Sequence, residues 1–373
     1  MIIHFSILAV ILIMSLFYER VIRYNNLHSI RCFGERKYKS PLLPWLFVFG
    51  YITFLAGMRS GMNDTSVYIN SFEKTTGTWG EILNIIVSEG KDKGFSVVSN
   101  LFKMFISTDF HMWFLFLASI ESIFFIYILR REAVSFSEAC FFFFCSTLYY
   151  NYFSMTRQWF AVVVLFVGGK FIKENRTISY ILLCIFAAQF HSSAYLFIPI
   201  YFCVRGQAWN RKQNILIGLF SIGIIFLEPI LSSMENTLGG TTYDYVIATM
   251  ATNSGASGIR ILIACVPIII AFYYRKDIKD KMINICVNMS VLNFLLNVLA
   301  VFTSGLYVVR LATYTNVFNI ILYPYLLNVS IKGRNRTIIK CGFYIFYFLF
   351  FIYQMNHQES WGYKSDVLGT FSY

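Results

Sequence analysis

Long apolar stretches separated by short polar loops run through most of the chain. A helix that crosses a bilayer needs roughly 20 mostly apolar residues, or fewer where flanking polar side chains reach the interface. Twelve stretches fit this pattern, at about 2–18, 41–58, 111–129, 135–152, 157–172, 177–191, 194–204, 214–228, 259–274, 283–302, 311–328 and 338–353. The pattern predicts an all-α polytopic membrane protein with about 12 transmembrane helices, forming a single integral membrane domain over residues 1–373.

Two longer segments interrupt this pattern. In residues 59–110, apolar residues recur at helical spacing beside polar ones, for example at 82–87 and 95–106. We expect these to be amphipathic helices on the outer leaflet. Residues 229–258 are rich in Gly, Ser, Thr and Asn, which predicts a flexible outer loop or lid.

Composition and charge support a membrane protein. Charged residues make up 13% of the chain and hydrophobic residues 57%, whereas soluble domains contain about 25% charged residues. The net charge of +12 would favour nucleic-acid binding in a soluble protein. In a polytopic protein, the distribution of this charge between alternate loops decides its meaning.

Lys and Arg fall mainly in one set of alternate loops, which carries 22 of them, against 9 in the other set. Because cytoplasmic loops are enriched in Lys and Arg, the richer set is predicted to be cytoplasmic and both termini to face outward. The basic excess is therefore a topology signal, and no nucleic-acid partner is expected. The nine outer cations are Arg59, Lys74, Lys91, Lys93, Lys103, Arg157, Arg260, Arg310 and Lys364.

The cysteines give no sign of a metal or a cofactor. Seven of the eight lie in apolar stretches and Cys32 lies in a basic loop, with no Cys or His spacing suited to zinc. We expect neither disulfides nor a metal site.

Three outer cations are predicted at helix N-termini. Arg157 opens the fifth stretch, Arg310 the eleventh and Arg260 the ninth. Free backbone N–H groups and the positive end of the helix dipole favour an anion at such a position, and a guanidinium matches phosphate oxygens bidentately. The alternative is an arginine that reaches the lipid headgroups from a helix end.

Two further outer positions carry ionisable groups. Arg59 and Asp64 follow the second stretch and are separated by Gly61, so they form either a shared site or an interfacial salt bridge. His191 ends the sixth stretch, and its ordinary pKa near 6.5 suits proton transfer, although a lone His is as often structural.

Polar residues inside the apolar stretches are interpreted as packing groups. Glu121 lies within the third stretch and is interpreted as an acid bonded to another helix, with a proton relay as the alternative. Asn284 and Asn288 lie on one face of the tenth helix, and Asn293 and Asn297 on nearly the opposite face, which is typical of helix packing.

Taken in chain order, the outer motifs form a set. They are Arg59-x-Gly61-x-x-Asp64-x-x-x-Tyr68, Thr156-Arg157-Gln158-x-x-Ala161, Phe190-His191-x-Ser193-Ala194 and Arg310-x-x-x-Tyr314, with a Gly-Tyr pair at 362–363 as a weaker addition. From about residue 45 to 330, this set resembles the EpsG-type branch of the Wzy polysaccharide repeat-unit polymerases.

The resemblance implies a multi-pass glycosyltransferase of the bacterial plasma (inner) membrane. A GT-C-like architecture is compatible with such an enzyme. Such enzymes join undecaprenyl-pyrophosphate-linked oligosaccharide repeat units on the outer face, producing a capsule, an exopolysaccharide or an O-antigen. No cofactor and no metal are implied. The expected partners are the lipid-linked oligosaccharides and the bilayer, together with a flippase and a chain-length regulator.

The resemblance also implies roles for the motif residues. Arg157 and Arg310, supported by Arg59, would bind the leaving pyrophosphate. His191 or Asp64 would be the base that deprotonates the acceptor hydroxyl, with His191 preferred and Asp64 orienting the acceptor or holding Arg59. The supporting residues would be Gln158, Tyr68, Tyr314 and Arg260.

Three other functions are compatible with a polytopic chain. A secondary transporter or a flippase for lipid-linked or small polar substrates predicts internal repeats and polar residues at mid-depth, whereas this chain concentrates Arg, Asp and His at one face. A membrane O-acyltransferase requires a His on a path from the cytoplasmic acyl donor, whereas His191 is predicted on the outer side. A non-catalytic scaffold leaves the outer arginines without a role.

Overall fold

The computed structural model describes residues 2–24, 40–227, 256–303, 305–331, 333, 336–357 and 362–370. The predicted flexible loop at 229–258 lies outside these residues, apart from 256–258.

The described residues form seventeen α-helices and no strand. In chain order they are α1 (Ile2–Tyr24), α2 (Leu42–Gly57), α3 (Thr65–Lys74), α4 (Trp79–Val87), α5 (Lys93–Phe105), α6 (Phe110–Glu132), α7 (Phe136–Cys145), α8 (Asn151–Ser154), α9 (Thr156–Lys173), α10 (Thr177–Ala188), α11 (Phe197–Val204), α12 (Arg211–Ile225), α13 (Ile259–Tyr273), α14 (Lys281–Phe302), α15 (Gly305–Asn316), α16 (Asn319–Tyr325) and α17 (Arg336–His357). Two 3₁₀ turns occupy Leu148–Tyr150 and Ser192–Leu196, and a π-helical turn occupies Leu326–Ser330.

Four described helices are long and apolar enough to cross a membrane: Ile2–Val21 within α1, then α6, α14 and α17. Shorter apolar segments of 10 to 17 residues include α2, α7, α10, Ser192–Val204 and α13. The all-helical membrane class is therefore confirmed. The count of twelve crossings and the GT-C-like architecture remain predictions.

Two of the predicted apolar stretches are broken helices. The stretch at 135–152 is interrupted because α7 ends at Cys145 and Thr147 adopts a left-handed conformation, with φ of 65°. The stretch at 311–328 is divided after Asn316. Its second part contains Pro324, which has no N–H to donate to the preceding turn, and the helix changes to a π turn at Leu326–Ser330. Asn328 donates to the Pro324 carbonyl at 2.8 Å.

The segment between α2 and α6 is helical, as its apolar spacing predicted. It forms α3, α4 and α5, and α5 buries Phe95, Ser99 and Phe102 on one face. Thr78 precedes α4 as its N-cap residue, and its hydroxyl oxygen accepts a hydrogen bond from Glu81 N–H, an arrangement typical of a helix start. The position of these helices on the outer leaflet remains a prediction.

The chain divides into two compact units. The first contains residues 1–168, 178–197 and 323–373, and the second contains 169–177 and 198–322. In the first unit, the ring of Phe125 lies among those of Phe49 (5.7 Å), Phe143 (5.3 Å) and Trp159 (5.4 Å). These aromatic contacts join α2, α6, α7 and α9 into one core, with geometries favoured by ring quadrupoles.

Two contacts show which chain segments lie together at each end of the first unit. At one end, Arg130 donates to the Ser40 carbonyl from Nε (3.0 Å) and Nη2 (2.9 Å). At the other end, His4 Nδ1 lies 2.6 Å from the Tyr149 hydroxyl, close to the start of α9. The start of α1 therefore lies at the same end of this unit as the residues that precede Arg157.

In the second unit, Leu292, Leu296, Ala300, Val308 and Ala312 form an apolar core between α14 and α15. The buried amides of α14 bond to the backbone: Asn288 donates to Val204 O at 2.8 Å, and Asn284 Oδ1 accepts from Ala208 N at 2.8 Å. Asn288 therefore joins α14 to α11, as predicted, whereas Asn297 donates to Asn293 O at 2.7 Å within α14 itself.

Candidate functional site

Helix α9 begins at Thr156, so Arg157 is its second residue, as the sequence predicted. Trp159 N–H donates to Met155 O at 2.7 Å, while the N–H groups of the first turn have no partner further back along the helix. The side chain of Arg157 is 41% exposed. A half-exposed guanidinium thus lies at the positive end of the helix dipole, a position that favours an anion.

The guanidinium of Arg157 is surrounded by two aromatic rings and one carboxylate. Its Cζ lies 5.7 Å from the Tyr68 ring centre and 5.9 Å from that of Phe95. Its Nη1 lies 3.4 Å from Oδ2 of Asp92. Burial raises the pKa of Tyr68, and the charge and hydrogen bond of Arg157 partly oppose this increase. Residues of α3, of α5 and of the turn before α5 therefore restrict the orientation of Arg157.

Asp92 connects Arg157 to the segment that follows α10. Its Oδ1 accepts a hydrogen bond from Ser192 N at 3.0 Å, while Oδ2 contacts Arg157. Asp92 lies just before α5 with φ of 56°, a left-handed conformation that Asp tolerates better than most residues. One carboxylate thus joins the start of α9 to the residue after His191.

The start of α5 lies directly against residues 189–193. Phe95 N donates to Gln189 O at 3.2 Å, and a Cβ added at Gly94 would lie only 2.6 Å from the Gln189 Cβ. Gly94 therefore permits this approach. Asp92 could not be connected to Arg157 from sequence order because 65 residues separate them. The run Asp92-Lys93-Gly94 is only a weak signal for a close backbone approach.

His191 caps the 3₁₀ turn at Ser192–Leu196. Its Nδ1 accepts from Ser193 N at 3.4 Å and lies 2.8 Å from Ser193 Oγ. A backbone N–H is only a donor, so Nδ1 is the acceptor and the neutral ring carries its proton on Nε2. The Phe190 ring lies 4.3 Å from that of Phe160, which fixes this turn against α9.

Arg59 is buried, with 1% of its surface exposed. It donates to the Ala56 carbonyl and, from Nη2, to Thr156 Oγ1 at 3.0 Å, and its Cζ lies 3.8 Å from the Phe114 ring centre. Desolvation lowers its pKa to about 10, and the charge of Glu121 opposes this decrease. Arg59 therefore remains a cation at neutral pH and contacts the first residue of α9.

The other predicted residues of the first unit lie close to this arrangement. Asp64 immediately precedes α3 and is partly exposed, and its carbonyl accepts from Tyr68 N at 3.3 Å. Its charge raises the pKa of Tyr68. Gln158 is buried, with 4% of its surface exposed.

The segment at 362–370 packs on the turn that carries Arg59. Lys364 N donates to Gly61 O at 2.8 Å, and the Tyr363 hydroxyl donates to Leu55 O at 2.8 Å. Asp366 Oδ1 lies 3.1 Å from His111 Nε2. Desolvation raises the pKa of Asp366, but hydrogen bonds from His111 and the backbone outweigh it and hold the value below the ordinary range. The Gly-Tyr pair at 362–363 therefore belongs to the same region as Arg59.

Arg260, Arg310 and Tyr314 belong to the second unit. Arg260 is the second residue of α13, as predicted. The prediction that Arg310 lies in the first turn of its helix was wrong: α15 begins at Gly305, so Arg310 is its sixth residue. Arg310 is partly buried and Tyr314 is 1% exposed.

The long apolar helices define an all-helical membrane protein. A model of the EpsG family matches residues 42–365, so the chain belongs to the EpsG family, as its motifs predicted. This family is associated with glycosyl transfer and polymerisation, which makes the chain a polysaccharide-related membrane protein. No curated protein and no solved structure was found to match it.

Proposed function

We propose that this protein is a glycosyltransferase that joins undecaprenyl-pyrophosphate-linked oligosaccharide repeat units on the outer face of the bacterial plasma membrane. The observation that carries the proposal is the half-exposed Arg157 guanidinium in the first turn of α9, next to the turn that bears His191. Family membership supports the same conclusion.

The chemistry needs a positive site for the leaving group. The bond between the anomeric carbon of the donor chain and its pyrophosphate oxygen breaks, and the acceptor hydroxyl oxygen forms the new glycosidic bond. Negative charge grows on the departing pyrophosphate, so a cation already oriented there stabilises the transition state more than the ground state. Arg157 is assigned this role within the first unit, with Gln158 as a supporting residue. The roles that the resemblance implies for Arg310, Tyr314 and Arg260, which belong to the second unit, stay predictions.

The hydroxyl proton requires a base, and the contacts of His191 bear on the choice. With Nδ1 accepting from the turn backbone, the neutral ring presents an N–H at Nε2, which donates to a phosphate oxygen. We therefore assign the base to Asp64, which is partly exposed one turn before Tyr68. This reverses the preference drawn from the sequence.

Two variants separate these roles. Asp64→Asn removes the base and should lower kcat by about 10²- to 10⁴-fold. His191→Asn keeps an acceptor for the cap and should lower kcat by only about 10- to 100-fold, as for a lost donor to the leaving group. The measurement is the kcat of both variants in reconstituted membranes. If His191→Asn lowers kcat more than Asp64→Asn does, His191 is the base.

A cell lacking this protein tests the function itself. Its lipid-linked glycans should consist of single repeat units exposed on the outer face, without long polymer, and the wild-type gene should restore the polymer. Repeat units that stay on the cytoplasmic face would instead identify a flippase or a transporter.

A further inference from the structure

We propose that Asp92 is a positioning residue that holds the Arg157 guanidinium and connects it to the His191 turn. The inference rests on the proposed function for its kinetic part, while its binding part needs only an anion site at Arg157. Asp92 acts through Arg157 and is assigned no contact with the substrate.

The two oxygens of Asp92 divide their contacts between two chain segments. Oδ2 lies 3.4 Å from Arg157 Nη1, and Oδ1 accepts from Ser192 N at 3.0 Å. The carboxylate is only 13% exposed, whereas Arg157 is 41% exposed. The less exposed Asp92 carboxylate therefore orients the more exposed Arg157 guanidinium.

The contact engages only part of the guanidinium. Arginine carries five N–H donors in a fixed fork, and Asp92 contacts Nη1 alone. A pyrophosphate that approaches the exposed side meets a guanidinium whose rotation is already restricted. Pre-orientation lowers the cost of reaching the transition state, so the benefit falls mainly on turnover.

The same carboxylate partly neutralises Arg157. A negative charge beside the guanidinium weakens the attraction of a second anion, so Asp92 weakens ground-state binding of pyrophosphate while it improves orientation. Removing the charge should therefore change affinity and turnover in opposite directions. A residue that merely supports the fold would lower both.

The backbone at Asp92 allows a clean substitution. Asn and Gly both adopt the left-handed conformation seen here, with φ of 56°. The hydrogen bond from Phe95 N to Gln189 O, together with the close approach at Gly94, holds the start of α5 without the Asp92 side chain. Asp92→Asn removes the charge, and Asp92→Gly is a second variant that removes both side-chain contacts.

The test uses the full-length protein in nanodiscs and two readouts. Titration calorimetry with inorganic pyrophosphate gives the Kd, and lipid-linked repeat units give kcat and KM. Asp92→Asn should tighten pyrophosphate binding by about two- to fivefold, as expected for loss of a partly exposed ion pair. It should lower kcat by about 10- to 100-fold, as expected for a misplaced catalytic group. Glu89→Gln, which removes an exposed carboxylate from the same loop, should leave both values unchanged.

Two outcomes overturn the proposal: Asp92→Asn and Asp92→Gly behave like Glu89→Gln, or they weaken pyrophosphate binding together with turnover. Failure of the proposed function gives a different pattern, in which the wild-type protein makes no polymer from lipid-linked units. In that case the Kd comparison alone decides the role of Asp92. If the wild-type protein and Arg157→Ala bind pyrophosphate equally well, Arg157 is not the anion site, and the Asp92 proposal also fails.

Discussion

Replacing Arg157 with alanine should abolish long polymer and leave single lipid-linked repeat units, while the protein stays folded in the membrane. The side chain is 41% exposed and Thr156 remains bonded to Arg59, so the fold loses little. The leaving pyrophosphate, however, loses the cation at the start of α9. Removal of one well-placed electrostatic stabiliser costs about 10²- to 10³-fold in kcat.

The measurement is the size distribution of lipid-linked glycans in a host that expresses each variant at equal membrane abundance. Arg157→Lys should restore polymer only partly, because a Lys ammonium cannot contact two phosphate oxygens in the planar manner of a guanidinium. Arg176→Ala is the matched control: it removes one cation that is 60% exposed and paired with Glu174, and polymer should be normal. Normal polymer from Arg157→Ala would remove Arg157 from the mechanism.

Replacing Arg59 with alanine should reduce the amount of folded protein, in contrast to Arg157→Ala. Arg59 is 1% exposed, donates to Ala56 and Thr156, and lies against the Phe114 ring. Its removal leaves a cavity beside Phe114 and takes the donor away from the buried Ala56 carbonyl and Thr156 hydroxyl. Each buried acceptor left unsatisfied costs about 1–3 kcal/mol of unfolding free energy.

Thermal unfolding in detergent, followed by the fraction that stays soluble, measures this loss. Arg59→Lys keeps the charge but not the planar contact with Phe114, and should show an intermediate stability. If Arg59→Ala unfolds at the wild-type temperature yet makes no polymer, Arg59 is a direct pyrophosphate ligand, as the sequence first indicated.

The apolar pattern was sufficient to predict an all-helical membrane protein, and the polar motifs were sufficient to predict the family. The helical character of α4 and α5 followed from spacing alone, and the Arg-Gln and Phe-His motifs led to the EpsG family. Helix starts were less predictable. Arg157 and Arg260 are second residues of their helices, but α15 starts at Gly305 and leaves Arg310 in its second turn. Apolar residues at 306–309 extend the helix backwards from Arg310, and Thr303 and Ser304, residue types favoured at helix starts, are the sequence signal for this earlier start.

The site itself depended on contacts that sequence order conceals. Asp92 lies 65 residues from Arg157 and 100 residues from Ser192, and no motif connects them. Arg59 has the charge expected of a phosphate ligand. Only the structure shows that its side chain is buried against Phe114 and contacts Thr156 at the start of α9. Local spacing identifies candidate side chains, while tertiary packing decides which of them stay exposed.

Elongation by the purified protein tests the central claim most directly. The protein is reconstituted in vesicles, supplied only with undecaprenyl-pyrophosphate-linked repeat units, and the glycans are resolved by size. We predict a ladder in which each step is one repeat unit, released undecaprenyl pyrophosphate equal to the number of bonds formed, and no ladder with Arg157→Ala. Lipid-linked units that stay single in the presence of folded wild-type protein would contradict the account.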